Sequence, residues 1–399
     1  MKYFSGQLKS GLATLYAGRV LTHIAAGLLG VFLPIFLYTL FHEKIQFVVF
    51  FYLISSLLYV LFVAVGAQYM NKFGFRKALT VGTLFGAIFF VILLSANPEK
   101  IFIFAVLAAF ALLLHRIFFW LPYHVDFAKF TDSLNRGREV SAMFATRSFL
   151  GVLGPIAAGI IISKSGFDIL FFIAIFLYVV AAFIFFRTPK VHEKFTWNYR
   201  ETWKHFCSKE HRAPMLAIFA NGAENAIAIV IWPIFIFQLL DGNYFAVGAL
   251  STVVVGLTLI LQLALGKYLD LDDLHKYKTL RLGSIFYAIG WVAKIFVLTA
   301  FHIFIAGLYH GITKIFTRTP FQTLLYDMTA DQGHYVDEFT VIREMAMHSG
   351  KACGLILVGL LLLVTNIQWA FIIGAVASLL LNLIYYRKKD VQIGKTFDM

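Results

Sequence analysis

Charge and cysteine are both scarce in this 399-residue chain. Charged residues make up only 14% of it, whereas a soluble globular domain carries about a quarter. A water-soluble protein of this size could not hide a 60% share of hydrophobic residues, so lipid must be part of the solvent. The two cysteines, Cys207 in a basic stretch and Cys353 in an apolar one, support neither a disulfide framework nor a zinc site. No His/Asp/Glu cluster has metal-ligand spacing on one helix or loop, so neither a metal nor another cofactor is expected. The start, MKYFSGQLKS, is polar, and the apolar stretch behind it carries Arg19 and lacks a small-residue cleavage site. The first helix is therefore expected to act as its own insertion signal and to stay in place.

What is present is a succession of spanning-length apolar segments: 13–40, 46–68, 78–95, 101–123, 143–163, 169–186, 215–239, 245–265, 282–299, 303–325, 341–364 and 369–386. The expected fold is all-α and polytopic, with about twelve transmembrane helices. The loops on one side are tiny and carry three cations, Lys44, Lys100 and Lys164. Those on the other side, with both tails, carry about twenty-three Lys and Arg. This asymmetry predicts a multi-pass protein of the cell membrane with both termini in the cytoplasm. It also accounts for the net charge of +13 without invoking nucleic acid, since the cations lie scattered between apolar stretches.

The longest connection divides the helices six and six. The expected organisation is a bundle over 1–186, a linker over 187–214, a second bundle over 215–386 and a tail over 387–399. Within the linker, Trp203, Phe206 and Cys207 fall at helical spacing beside Arg200, Lys204 and Lys209. That pattern fits either a short helix on the cytoplasmic leaflet or an ordinary solvated loop. The two halves are related by sequence. A shift of 198 sets Pro122 on Pro320, Arg116 on Lys314, Ile117-Phe118 on Ile315-Phe316 and Thr131 on Thr329. Two homologous six-helix units are the organisation of carriers that rock two halves about a site.

The loop GAQYMNKFGFRKALTVG resembles the signature loop of the major facilitator superfamily, roughly G-x-x-x-D-R-x-G-R-[RK]. Asn71, Lys72 and Gly74 occupy its D, R and G places, and Arg76 and Lys77 supply the cations that follow. Ala67 stands where the first glycine is expected, and Asn71 replaces the acid. Asn71 can still cap a helix start, but it cannot supply the negative charge with which the family latches its halves. The second copy, GKYLDLDDLHKYK, keeps Gly266 and Asp270. GVLGPIAAG is similar to a Gly-Pro signature of the antiporter branch, and Leu112 with Arg116 matches the start of a helix-4 signature. The resemblance implies a transporter rather than an enzyme, and a conformational-switch loop formed by Asn71, Lys72, Gly74, Arg76 and Asp270.

A charge inside a bilayer costs about 2.5–3.5 kcal/mol on insertion scales, so each one needs a reason. Eight basic residues are embedded or nearly so: Arg19, Arg116, Arg147, Lys294, Lys314, Arg318, Arg343 and Lys351. The acids are two, Glu224 and Glu344. On the first helix Tyr16, Arg19, His23, Gly27, Gly30 and Pro34 form one stripe, and on the tenth His310, Lys314 and Arg318 form another. Such stripes face protein or water. The superfamily resemblance puts the first, fourth, seventh and tenth helices around the cavity and the ninth, with Lys294, facing outward. Glu344 and His348, four apart, can neutralise each other.

The surplus of cations predicts an electropositive cavity and a small substrate that is anionic or carries an anionic group. Its candidate contacts are Arg19, His23, Arg116, His310, Lys314 and Arg318, with Arg116 and Lys314 reaching from opposite halves. Glu224, Glu344 and His348 are candidates for proton coupling. A structural reading stands beside each of these. Long cations near a helix end can snorkel or form salt bridges between the halves, and Glu224 can be a fixed counter-ion. The alternative functions are an efflux antiporter for amphipathic drugs and, less favoured, a membrane enzyme using Asp270, Asp272 and Asp273 to hold magnesium for a lipid phosphate. The expected partners are the bilayer and a small molecule, with the protein a monomer.

Overall fold

The computed structural model describes residues 10–130, 136–189, 195–209, 211–265, 273–330 and 336–385, and every regular element among them is helical. Asp270, Asp272, Thr131 and the 387–399 tail lie outside the described residues. In chain order the helices are α1 (Ser10–Leu29), α2 (Phe32–Leu40), α3 (Ile45–Phe73), α4 (Phe75–Leu94), α5 (Ile101–Phe130) and α6 (Arg136–Phe186). They are followed by α7 (Tyr199–Phe206), α8 (Arg212–Ala226), α9 (Trp232–Leu239), α10 (Tyr244–Leu265), α11 (Asp273–Ala293), α12 (Ala300–Ala330), α13 (Val336–Leu361) and α14 (Phe371–Leu380).

Helix lengths and local breaks follow from the residues. At about 1.5 Å per residue, the 29 residues of α3 extend beyond a hydrocarbon core of about 30 Å. Pro34 has no N–H for the carbonyl of Gly30, and the chain bends by 50° between α1 and α2. Gly74, at φ +84°, ends α3 and opens α4, a conformation that a side chain would strain. Inside α6, Gly166 at φ +76° breaks the helix, so its two apolar stretches are separate spans. Pro233 cannot bond back to the carbonyl of Ile229, and the backbone widens into a π turn over Ile227–Ile231.

Eight described helices are long and apolar enough to cross a membrane, or nine with the bent α1–α2 pair. Counting α6 as two spans at Gly166 adds a tenth. The 31-residue α12 and 26-residue α13 are long enough but carry charge along their length. Together they account for the twelve apolar segments of the sequence. Their outer surfaces are rich in exposed apolar groups such as Val106, Phe176, Phe183 and Leu263, which suit lipid and not water.

Two compact units form. One comprises Met1–Phe51, Leu61–Thr196 and Gly242–Val253, the other Tyr52–Val60, Trp197–Asp241 and Val254–Met399. This division departs from chain order at residues 52–60 and 242–253. In the first unit α1 packs along α6, and α4 packs against α5 and α6; in the second α8 packs along α13, and α11 packs against α12 and α14. The closest approaches repeat as well. Gly82 lies against the backbone of Phe118, and Gly283 lies against that of Phe316, the partners being related by the shift of 198. Gly27 meets the carbonyl of Leu150, and Gly222 meets that of Met347. Small residues at such crossings let helix backbones come together where apolar lipid gives no hydrophobic drive to association.

Candidate functional site

In the second unit the polar residues of α8, α11 and α12 converge on one carboxylate. Glu224 is fully buried, and both its oxygens are engaged. The Tyr287 hydroxyl donates to Oε1 at 2.5 Å, and Arg318 Nη2 donates to Oε2 at 2.6 Å. The π turn begins three residues after Glu224, and such irregularities are frequent at functional sites. His310 is buried with its ring 4.3 Å from that of Tyr287 and 4.5 Å from that of Trp291.

Lys294, only 2% exposed, lies beside this group. Its Nζ sits 4.1 Å over the ring of Trp232 and 4.0 Å over that of Trp291. Two indole faces are the best side-chain surroundings for a desolvated ammonium that lacks a carboxylate. Lys314 is exposed, yet its charge is felt at Glu224, Lys294 and His310. The second unit therefore gathers three cations, one acid and one histidine in a small volume.

The first unit holds a cation of a different kind. Arg19 is 6% exposed, with its guanidinium 4.5 Å over the rings of Trp120 and Tyr123 and 5.3 Å over that of Phe119. All three rings come from α5. His115, one turn away, bonds through Nδ1 to the Gly82 carbonyl at 2.8 Å and stacks on Phe119. On the α1 stripe, Tyr16 bonds to Thr146 of α6 at 2.5 Å, and Gly27 packs on α6. His23 and Arg116 are half-buried, and Arg147 is exposed. Arg19 and Pro34 of the stripe are buried, Tyr16, His23 and Gly27 are half-buried, and Gly30 is exposed.

Several sequence expectations change. Lys294 was expected on an outward-facing helix, and it is one of the most buried cations described. Glu344 bonds to its neighbour Arg343 at 3.4 Å, and His348 is buried. Asn71 caps no helix. Its amide holds the linker instead, Nδ2 donating to the Phe195 carbonyl at 2.6 Å and Oδ1 accepting from the Phe195 N–H at 2.8 Å. A side-chain amide matches a backbone peptide donor for acceptor, and a carboxylate could not make the first bond. Lys72 lies over Phe73 and Arg76 over Phe186 in the same region.

Sequence reading passed over Tyr287, Trp291 and Trp232. Tyr287, Trp291 and Lys294 sit four and three residues apart, a helical stripe that could have been read as one face. The buried acid Glu338, 1% exposed at the start of α13, lies three residues ahead of the apolar segment assigned there and was also missed.

The family model described as Major Facilitator Superfamily matches residues 15–336 and, separately, 214–396. No curated protein matches the chain.

Proposed function

The chain belongs to the major facilitator superfamily and is a multi-pass membrane transporter; from that premise we propose that it is a secondary carrier for a small anionic solute, coupled to protons through Glu224. The observation that carries this reading is the short bond between Arg318 and the buried Glu224. While Glu224 is ionised, it occupies the guanidinium. Protonation of Glu224 weakens that bond and frees Arg318 to accept an anionic group from substrate. One proton and one anion thus compete for the same cation, and that competition links their movements.

His310 and Lys314 of the second unit and Arg19, His23 and Arg116 of the first are proposed as further substrate contacts of the transport route. Glu344 and His348 are proposed to contribute to proton transfer. The carrier is proposed to alternate its access between the two faces of the cell membrane as a monomer, with both termini in the cytoplasm, and to catalyse no reaction. The drug-efflux alternative calls for aromatic faces free to receive a lipophilic ligand. The faces of Trp232 and Trp291, and those of Phe119, Trp120 and Tyr123, hold resident cations.

The test is a thermal-shift screen of detergent-solubilised protein against anionic, neutral and cationic metabolites at two pH values. A ligand of the folded state raises the melting temperature by mass action. Stabilisation by anions, lost in Arg318→Ala, is expected. Stabilisation by lipophilic cations alone would overturn the reading.

A further inference from the structure

The linker helix α7 has three faces with different chemistry. Thr202 is fully buried, and Phe206 packs with Trp197 against a core cluster of the second unit. That cluster includes Met215 of α8, Leu280 of α11, Phe321 and Leu325 of α12 and Phe339 of α13. Met215 and Leu280 lie near helix ends that adjoin cation-rich stretches, and Phe321, Leu325 and Phe339 lie towards the ends of α12 and α13 that the 331–335 connection joins, so α7 is held at the level of one membrane surface. A capping box fixes its start: Asn198 Oδ1 accepts from the Glu201 N–H at 2.9 Å, and Glu201 Oε2 accepts from the Asn198 N–H at 2.8 Å.

One turn of spacing sets out the other two faces. Tyr199 and Trp203 lie on one flank with ring centroids 6.4 Å apart, Tyr199 being 38% exposed. Arg200 and Lys204 lie on the next, both exposed, and exposed Lys209 and Arg212 follow. No described acid pairs with any of these four cations, and the exposed acid of the helix, Glu201, is engaged in the cap. Lys278 and Arg281, also exposed, flank Leu280 of the same core cluster.

We propose that the outer face of α7 is a lipid-contact surface, with Tyr199 and Trp203 at the headgroup boundary and Arg200, Lys204 and Lys209 on the phosphates of anionic lipids. The aromatic flank beside the cationic one is the arrangement of an interfacial helix. The occupant follows from charge complementarity: cations that no described acid pairs, held at the membrane surface by an anchored helix, meet anionic headgroups before any soluble partner. Each cation near an anionic leaflet strengthens the contact roughly fivefold at physiological salt. The proposal rests on the cation-rich side being the one that faces that leaflet, and it does not depend on the substrate.

The experiment uses the full chain in lipid nanodiscs. Cys207 is exposed at the end of α7, and Cys353→Ser leaves it as the one thiol for a fluorophore. Quenching by a lipid with a nitroxide on its headgroup is read in discs of phosphatidylcholine alone and with phosphatidylglycerol added. Quenching is expected to be several-fold stronger with phosphatidylglycerol and to fall with salt. It is expected to be lost in a variant carrying Arg200→Gln, Lys204→Gln and Lys209→Gln, and kept in one carrying Arg200→Lys and Lys204→Arg. An unchanged melting temperature shows that the variants are folded. Equal quenching in both kinds of disc, or in the parent and the glutamine variant, overturns the proposal. So does an unquenched label throughout, which would place α7 in water or under another protein.

Discussion

The bond between Glu224 and Arg318 can be measured as a coupling energy, and its two ends are unequal. Glu224 is fully buried, while 20% of the Arg318 side chain reaches the surface. Among the described residues, Arg318→Met removes the one cation bonded to a carboxylate that then keeps the Tyr287 hydroxyl. Stranding a buried charge in this way costs about 3–5 kcal/mol. Glu224→Gln is milder. The glutamine carbonyl still accepts from Tyr287, and the guanidinium can hydrate through its exposed part. The loss is then that of one charge-assisted hydrogen bond, about 1.5–3 kcal/mol. With both changes no charge is stranded, and the cost falls well below the sum of the two. A coupling of about 2 kcal/mol is expected from the cycle. Denaturant unfolding of the purified protein in detergent, followed by tryptophan fluorescence, gives the four stabilities. Simple additivity, or an Arg318→Met loss under about 1 kcal/mol, would show that no such bond forms, and the proton–anion competition would lose its structural basis.

Other outcomes follow from single contacts. Asn71→Asp keeps the acceptor for the Phe195 N–H but loses the 2.6 Å donor bond and sets a carboxylate against a carbonyl. A local cost of about 1–3 kcal/mol is expected, read as faster proteolysis in the linker; equal rates would show that the amide does not hold it. A Cβ at Gly222 overlaps the Met347 backbone, whereas one at Gly151 meets nothing within 4 Å. Gly222→Ala should therefore reduce the yield of monodisperse protein, and Gly151→Ala should gain up to about 1 kcal/mol of helix propensity. Lys294→Met keeps the volume beneath Trp232 and Trp291 and should change stability by less than about 1.5 kcal/mol. Lys294→Ala, which leaves a cavity there, should cost about 2–5 kcal/mol in the same unfolding assay.

How much of this was legible in the sequence depended on which force left a periodic trace. Lipid requires every span to satisfy its own backbone, so apolar runs of spanning length map onto the described helices other than the linker helix α7, and Pro34, Gly74 and Gly166 mark where the backbone bends or stops. The α1 stripe was readable because polar residues stand out on an apolar helix. Trp232 was not, because in a chain with 44 Phe and 18 Tyr an aromatic ring carries little information until its neighbours are known, and Tyr287 and Trp291 gain meaning only from their spacing to Lys294. The superfamily architecture puts Lys294 on an outward helix, and a single charge cannot report that the Trp232 indole of α9 waits for it beside Trp291, one turn away on its own helix. Asn71 reads as a replaced acid that can cap a helix, since a long-range amide-to-backbone bond has no local spacing to betray it.

The internal repeat explains why charge was the harder half of the reading. The paired crossings at Gly82 and Gly283, and at Gly27 and Gly222, have kept their close contacts in both units. A methyl group at most of these positions would push two backbones apart, so the scaffold tolerates little change there. The polar groups have diverged on that scaffold. Arg19 in the first unit rests on three rings of α5, and no acid is buried among the described side chains of that unit; the second unit buries Glu224 against Tyr287 and Arg318. An aromatic box holds a cation at any proton concentration, whereas a carboxylate gives up its cation when it is protonated. Glu224 can therefore exchange a cation for a proton, and the Arg19 box offers no such exchange. Proton coupling, if a described buried acid carries it, belongs to the second unit, and Arg19→Lys, which keeps the charge over the rings of Phe119, Trp120 and Tyr123, should leave the pH dependence of transport unmoved while Glu224→Gln abolishes it.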